Sequence, residues 1–243
     1  MMRLRRPSWF ALTLTLVGVV LFVRLGIWQL NRADEKETLL RRFAAAAQAP
    51  LQDFADVVGH AAPDRYPHVR VHGRFLPREY LLDDQIVGGQ VGVRVYAPFA
   101  PAAGDTLLLV NLGFLPRQGA QQRLPDLPPL PAGETTLTGL YAPPPSAGLK
   151  LGGNALPREP RWPKLTIYID LDAIGADLGR RLYPRVLLLD KDPASPYVRL
   201  WTPDFMPPAR HRGYALQWFS FAIAAVVIFL VLHRRRDNDE ASR

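Results

Sequence analysis

Apolar side chains run almost unbroken over residues 9–23 and again over residues 214–232. The first block resumes after Arg24 and reaches Leu30. As a helix, residues 9–30 rise about 33 Å, enough to cross a hydrocarbon core of about 30 Å. The second block rises about 28 Å. Arg24 lies close to the outer end of the first span, where a long side chain can reach the headgroups. Beyond it, residues 28–43 keep a helical pattern, with leucines at 30, 39 and 40 and Glu37 one turn before Arg41. Gln48-Ala-Pro50 ends that helix.

The period then falls to two. Val69, Val71, Gly73 and Phe75 alternate with His68, Arg70, His72 and Arg74, the signature of a half-buried strand. Further strands are predicted over residues 79–82, 91–96, 106–110, 135–140, 165–169, 185–189 and 198–201. The segment 106–110 is apolar enough to be central. Residues 170–182 read as one helix with Leu171, Ile174 and Leu178 on a stripe and Asp170 or Asp172 as cap. Strands joined by short turns, with a single late helix, predict an α+β domain built on a mainly antiparallel sheet or partly closed barrel. A parallel α/β fold is disfavoured because helical crossovers are missing. Two proline-rich stretches, 124–131 and 143–163, are expected to be surface loops.

Charge sharpens this picture. The whole chain carries 30 Lys+Arg against 22 Asp+Glu, which at first suggests a nucleic-acid binder. Residues 33–209, however, hold 19 of each sign, and the excess of 11 basic over 3 acidic residues lies in or beside the apolar blocks. The central domain has no net field for nucleic acid, so that partner class is set aside. Arg3-Leu-Arg-Arg6 and Arg234-Arg-Arg236 flank the outer ends of the two spans, which predicts that both termini are cytoplasmic. The expected organisation is a basic tail 1–8, a transmembrane helix 9–30, a β-rich periplasmic domain 31–213, a second transmembrane helix 214–232 and a basic tail 233–243. The setting is the inner membrane of a bacterium, with lipid around both spans. A cleaved signal peptide is the rival for the first block, but no small-x-small site follows Val23 directly. The chain has no cysteine, which removes disulfides and thiolate metal sites.

Enzyme signatures are missing: no nucleophile elbow, Walker loop, Rossmann fingerprint or zinc-protease helix occurs. Asp83-Asp84 is expected as a turn before Gly88, and Asp170-Leu-Asp172 as a helix start. His60 belongs to a loop, His68 and His72 to a solvated strand face, and His233 to the basic tail. His211 differs. On a helix His211, Tyr214, Ala215 and Trp218 form one stripe, and Trp28, Arg32 and Lys36, with Gln29 beside them, form another at the same membrane face. Two readings remain open at this point. The stripes hold a flat macrocycle by its iron, its rings and its carboxylates, or they form an aromatic belt that fixes helix depth.

At these residues the chain resembles the Surf1 family of terminal-oxidase assembly factors. Leu25-Gly-Ile-Trp28-Gln29-Leu-Asn-Arg32-Ala-Asp-Glu-Lys36 is similar to the family's L-G-x-W-Q-x-x-R-x-x-x-K, and His211-Arg-Gly-Tyr214-Ala-Leu-Gln217-Trp218-Phe219 to its H-x-x-Y-A-x-Q-W-F. Tyr66-Pro-His-Val-Arg-Val-His-Gly73-Arg-Phe75 and Val110-Asn-Leu-Gly113-Phe-Leu-Pro116 fall between them in the right order. Leu112 and Phe114 stand where the family commonly has Arg and Trp. The resemblance implies a non-enzymatic factor, a chaperone for respiratory-chain biogenesis that helps mature subunit I of cytochrome c oxidase. It also implies haem a as a transient cofactor, with His211 as the iron ligand and Trp28, Gln29, Arg32, Tyr214 and Trp218 in support. Subunit I and haem a synthase are the expected partners. The alternative is a membrane-anchored periplasmic scaffold without bound haem.

Overall fold

The structure is a computed structural model that describes residues 7–60, 62, 65–145, 156, 160–201 and 206–234. The chain forms two compact units. One comprises residues 1–39 and 205–243, the other residues 40–204.

In the second unit, five strands close into a barrel. In chain order these are β2 (His68–Phe75), β4 (Gln90–Pro101), β5 (Leu107–Pro116), β6 (Glu134–Ala142) and β8 (Leu182–Leu189). They run β2-β6-β8-β5-β4 around the barrel, and β4 returns to β2 through Gly73↔Pro101, Arg74↔Ala100 and Phe75↔Phe99. Closure brings backbones unusually near. A Cβ on Gly73 would lie 2.1 Å from the Ala100 carbonyl oxygen, so only glycine fits there. Short strands extend the sheet: β1 (Gln52–Asp53) pairs with β2, and β3 (Tyr80–Val87) lies between β4 and β7 (Lys164–Thr166). A one-turn helix α2 (Phe54–Val57) buries Phe54 and Val57.

The alternation predicted for the strands sets two layers of core. Val69, Val71, Val95, Leu108, Val110 and Leu187 fill the barrel interior. Leu107, Leu109, Tyr96 and Val186 point the other way, under α3 (Leu171–Leu178), where they meet Ile174 and Leu178. This is why nine of the ten residues of β5 are buried. Asp170 caps α3 by accepting from the Ala173 N–H at 3.1 Å, and Gly179 ends it at φ 63°. Helix α3 therefore stops at Leu178 instead of running to 182, and Leu182 already opens β8. The mainly antiparallel barrel with one inserted helix is thus observed, with parallel pairs at β1–β2, β3–β7 and β5–β8.

Several sequence expectations fail in this unit, the strand expected over 165–169 among them, since β7 ends at Thr166. Residues 198–201 form no strand: Val198 makes a single bridge to Phe114, and the Trp201 indole donates to the Leu189 carbonyl at 2.6 Å. Asp83 and Asp84 lie within β3, not in a turn. The register slips between Leu82 and Gln85, Asp84 takes φ 54°, and Asp83 pairs with Arg117. The first proline-rich stretch is anchored as well as exposed, since Leu127 and Leu130 pack on the barrel core. Much of the second lies outside the described residues.

In the first unit, α1 (Trp9–Ala46) and α4 (Pro208–Leu232) are each long and apolar enough to cross a membrane. Only their first and last residues differ from the sequence reading: α1 runs on past residue 43, and α4 begins at Pro208, whose fixed φ suits the first turn.

Candidate functional site

The seam between the two long helices is set by small residues. On α1, Phe22, Gly26, Gln29 and Ala33 recur at intervals of four, three and four. On α4, His211, Ala215, Trp218 and Ala222 repeat the same spacing, that of interlocking antiparallel helices. Ala33, Ala215 and Ala222 are buried. A Cβ on Gly26 would lie 2.6 Å from the Phe219 ring, so the glycine is what lets that ring seat against α1. Phe22 stacks on Trp218 at 5.9 Å and meets Phe221 at 5.8 Å. Arg212 pairs with Glu37.

His211 is the buried polar member of this seam, 8 % exposed. Its Nδ1 lies 2.7 Å from Gln29 Oε1. Of the six residues singled out in sequence, these two meet directly. Trp218 is half-buried against Phe22. Trp28 sits about 100° around α1 from Gln29 and is 55 % exposed, and Tyr214 is 40 % exposed. Arg32 is exposed and pairs with Glu35 one turn on. The α1 stripe that meets α4 therefore runs through Gln29, and not through Trp28, Arg32 and Lys36 as the stripe reading had it. What this end of the hairpin offers chemically is one imidazole with a fixed acceptor on one nitrogen, beside accessible aromatic surface and guanidinium groups.

The barrel carries its own polar clusters. His68 is not on a solvated face: its Nδ1 donates to the Ala49 carbonyl at 2.9 Å and its Nε2 meets Asp190 at 2.9 and 3.1 Å. Burial works against the charged ring. The hydrogen bonds to Asp190 and Ala49, with the Asp190 charge, outweigh it and raise the His68 pKa above its ordinary value. This clip ties the segment after α1 to the end of β8. Its signal was hidden because the partners are 122 residues apart. His72, by contrast, is exposed and pairs loosely with Glu134.

Buried Lys164 reaches Asp177 and lies 4.8 Å from the Trp162 ring, while Tyr80 donates to the other Asp177 oxygen at 2.8 Å. Burial first, then Asp177, pushes the Tyr80 phenol far up, and burial pushes Tyr141 up to about 12. The central motif also acquires a physical role. Asn111 donates to the Tyr96 hydroxyl at 2.9 Å and accepts from the Gly113 N–H at 3.1 Å, holding a bulge in which Leu112 is the extra residue. Gly113 adopts φ 133° there, with Tyr197 packed against it. Leu112 and Phe114 are buried at 4 % and 2 % exposure, which suits their apolar character at these two positions. Among the described residues no three His, Asp or Glu side chains gather closely enough to hold a metal ion.

Comparison with known proteins finds similarity along almost the whole chain. The SURF1 family model matches residues 16–223, from within α1 to within α4. A SURF1-like protein of Rickettsia conorii is 24 % identical over 231 residues, covering 91 % of this chain and 90 % of the relative. One from Rickettsia bellii is 26 % identical over 229 residues, covering 90 % and 89 %. The matched span takes in both helices of the seam and the closed barrel between them: the chain belongs to the SURF1 family.

Proposed function

We propose that this chain is a membrane-anchored assembly factor that binds haem a through His211 and helps deliver it to subunit I of cytochrome c oxidase. Membership of the SURF1 family implies a role in cytochrome c oxidase assembly. The observation that carries the finer reading is the burial of one histidine in the seam of two apolar helices, within its family motif. Polar side chains in such a seam are expensive, and they mark ligand or proton sites more often than packing.

The residues there suit haem by donor chemistry. His211 supplies an imidazole, and with no cysteine in the chain no thiolate competes for the iron. Trp28 and Tyr214 present exposed aromatic surface for a flat apolar ring. Arg32 provides a guanidinium for propionate carboxylates, although it must exchange Glu35 for them. Trp218, stacked on Phe22, packs the same seam two turns along α4 from His211. Haem a is cargo in this reading, and no catalytic step is assigned to the chain.

The basic clusters outside both spans support a reading in which the two termini lie in the cytoplasm of a bacterium and the barrel in the periplasm. The barrel would then be the surface offered to subunit I and to haem a synthase. Deletion of the gene tests the function. Membranes of the deletion strain should hold less haem a-containing oxidase, and the full chain should restore it. Normal oxidase with full haem a content in the deletion strain would contradict the reading.

A further inference from the structure

Gln29, rather than touching the haem, sets which nitrogen of His211 faces the iron: we infer that it is a positioning residue acting through the imidazole. This rests on the haem reading above. An amide oxygen can only accept, so the 2.7 Å contact from Gln29 Oε1 requires the proton on His211 Nδ1. The neutral ring is then the Nδ1–H tautomer, and Nε2 carries the free lone pair. An acceptor on the far nitrogen also makes the ligating nitrogen a stronger electron donor to a metal, as outer partners of metal-bound histidines do.

The seam makes this hydrogen bond hard to replace. His211 is buried, Ala33 and Ala215, each one turn along from Gln29 and His211, are at most 1 % exposed, and the Phe219 ring seats against Gly26. With little water available, breaking the contact strands an N–H. The competing role for the same pair is a plain interhelical clamp, and a useful measurement must separate the two.

The first experiment uses the full unloaded chain, labelled with ¹⁵N-histidine in nanodiscs. The Nδ1–H tautomer of His211 is expected in the wild type. An Nε2–H tautomer there would overturn the inference without any variant. The second loads haem a and compares variants. Gln29→Leu should weaken haem retention about 10- to 100-fold and shift the midpoint potential. Gln29→Glu, which keeps an acceptor, should retain haem and lower the potential by making the ring more electron-rich.

A clamp alone predicts that helix pairing fails in Gln29→Leu while the potential of the haem still bound is unchanged, and that result would sink the positioning role. His211→Ala distinguishes this failure from failure of the site itself. If His211→Ala still holds haem a, the ligand assignment falls and the positioning role with it. If His211→Ala loses haem and Gln29→Leu leaves retention and potential unchanged, only the positioning role falls.

Discussion

At the scale of single residues, the barrel depends on contacts that tolerate no change. Gly73→Ala places a methyl against the Ala100 carbonyl at the seam of closure. It should cost about 3 kcal/mol, as overpacking against backbone does, and lower the melting temperature by about 8 °C. His68 gives a pH-dependent test. Its folded pKa lies above the unfolded value near 6.5, so its contribution is complete below that value and is lost as pH rises through the folded pKa. Glu79, whose carboxyl is raised by burial, acts in the same direction but from the carboxylate range upward. The wild-type melting temperature should therefore fall between pH 6 and pH 8, and His68→Gln should flatten that part of the profile. An unchanged slope in His68→Gln would exclude the clip as its cause. The residue scale was the least legible in sequence. His68 and Asp190 look like ordinary surface residues until the fold brings 122 positions together. Asn111 gives no hint of its bulge, because the two groups it holds lie on different strands or bear no side chain.

The elements were easier to read where one face alone decides them. Strands with a clean period of two, such as β2, are legible to the residue. Both long helices are legible as elements, although α1 runs three residues past 43 and α4 begins six residues before 214. Residues 198–201 have the apolar content of a strand, yet the Trp201 indole and the single Val198 bridge hold them irregularly. Pairing partners, and not composition, decided that case. The β3–β7 edge and α3 are joined by the buried Lys164–Asp177 pair and by Tyr80. Asp177→Ala should cost about 3–5 kcal/mol by leaving the Lys164 charge unpaired. Replacing Lys164 and Asp177 together with apolar residues of similar size should cost much less. Chemical denaturation of the three proteins gives the comparison. For the helix pair, Gly26→Leu forces Phe219 out of its seat. Since the chain has no native cysteine, a short bismaleimide between cysteines at positions 29 and 211 reports the pairing. Cross-linking should drop when Gly26→Leu is added.

For the molecule as a whole, one unit holds two helices apolar enough to cross a membrane and the other a closed barrel with its own core, so the barrel unit should be separable. Residues 40–204 contain the closed barrel and both layers of its core. At this size a domain buries about 70 % of its unfolded surface, so the fragment should show strand-type circular dichroism, melt cooperatively and carry no haem. Phosphatase fusions after residues 60, 120 and 190 should be active and a fusion after 238 inactive, as the basic flanks require. An active fusion after 238 would refute the hairpin topology. The binding claim is tested most directly by the absorption spectrum of the full chain purified from cells that make haem a. The wild type and His233→Ala, altered at the far end of α4, should carry the same haem a, and His211→Ala should carry almost none while remaining folded and inserted. Equal haem a and an identical spectrum in His211→Ala would contradict the assignment of His211 as ligand.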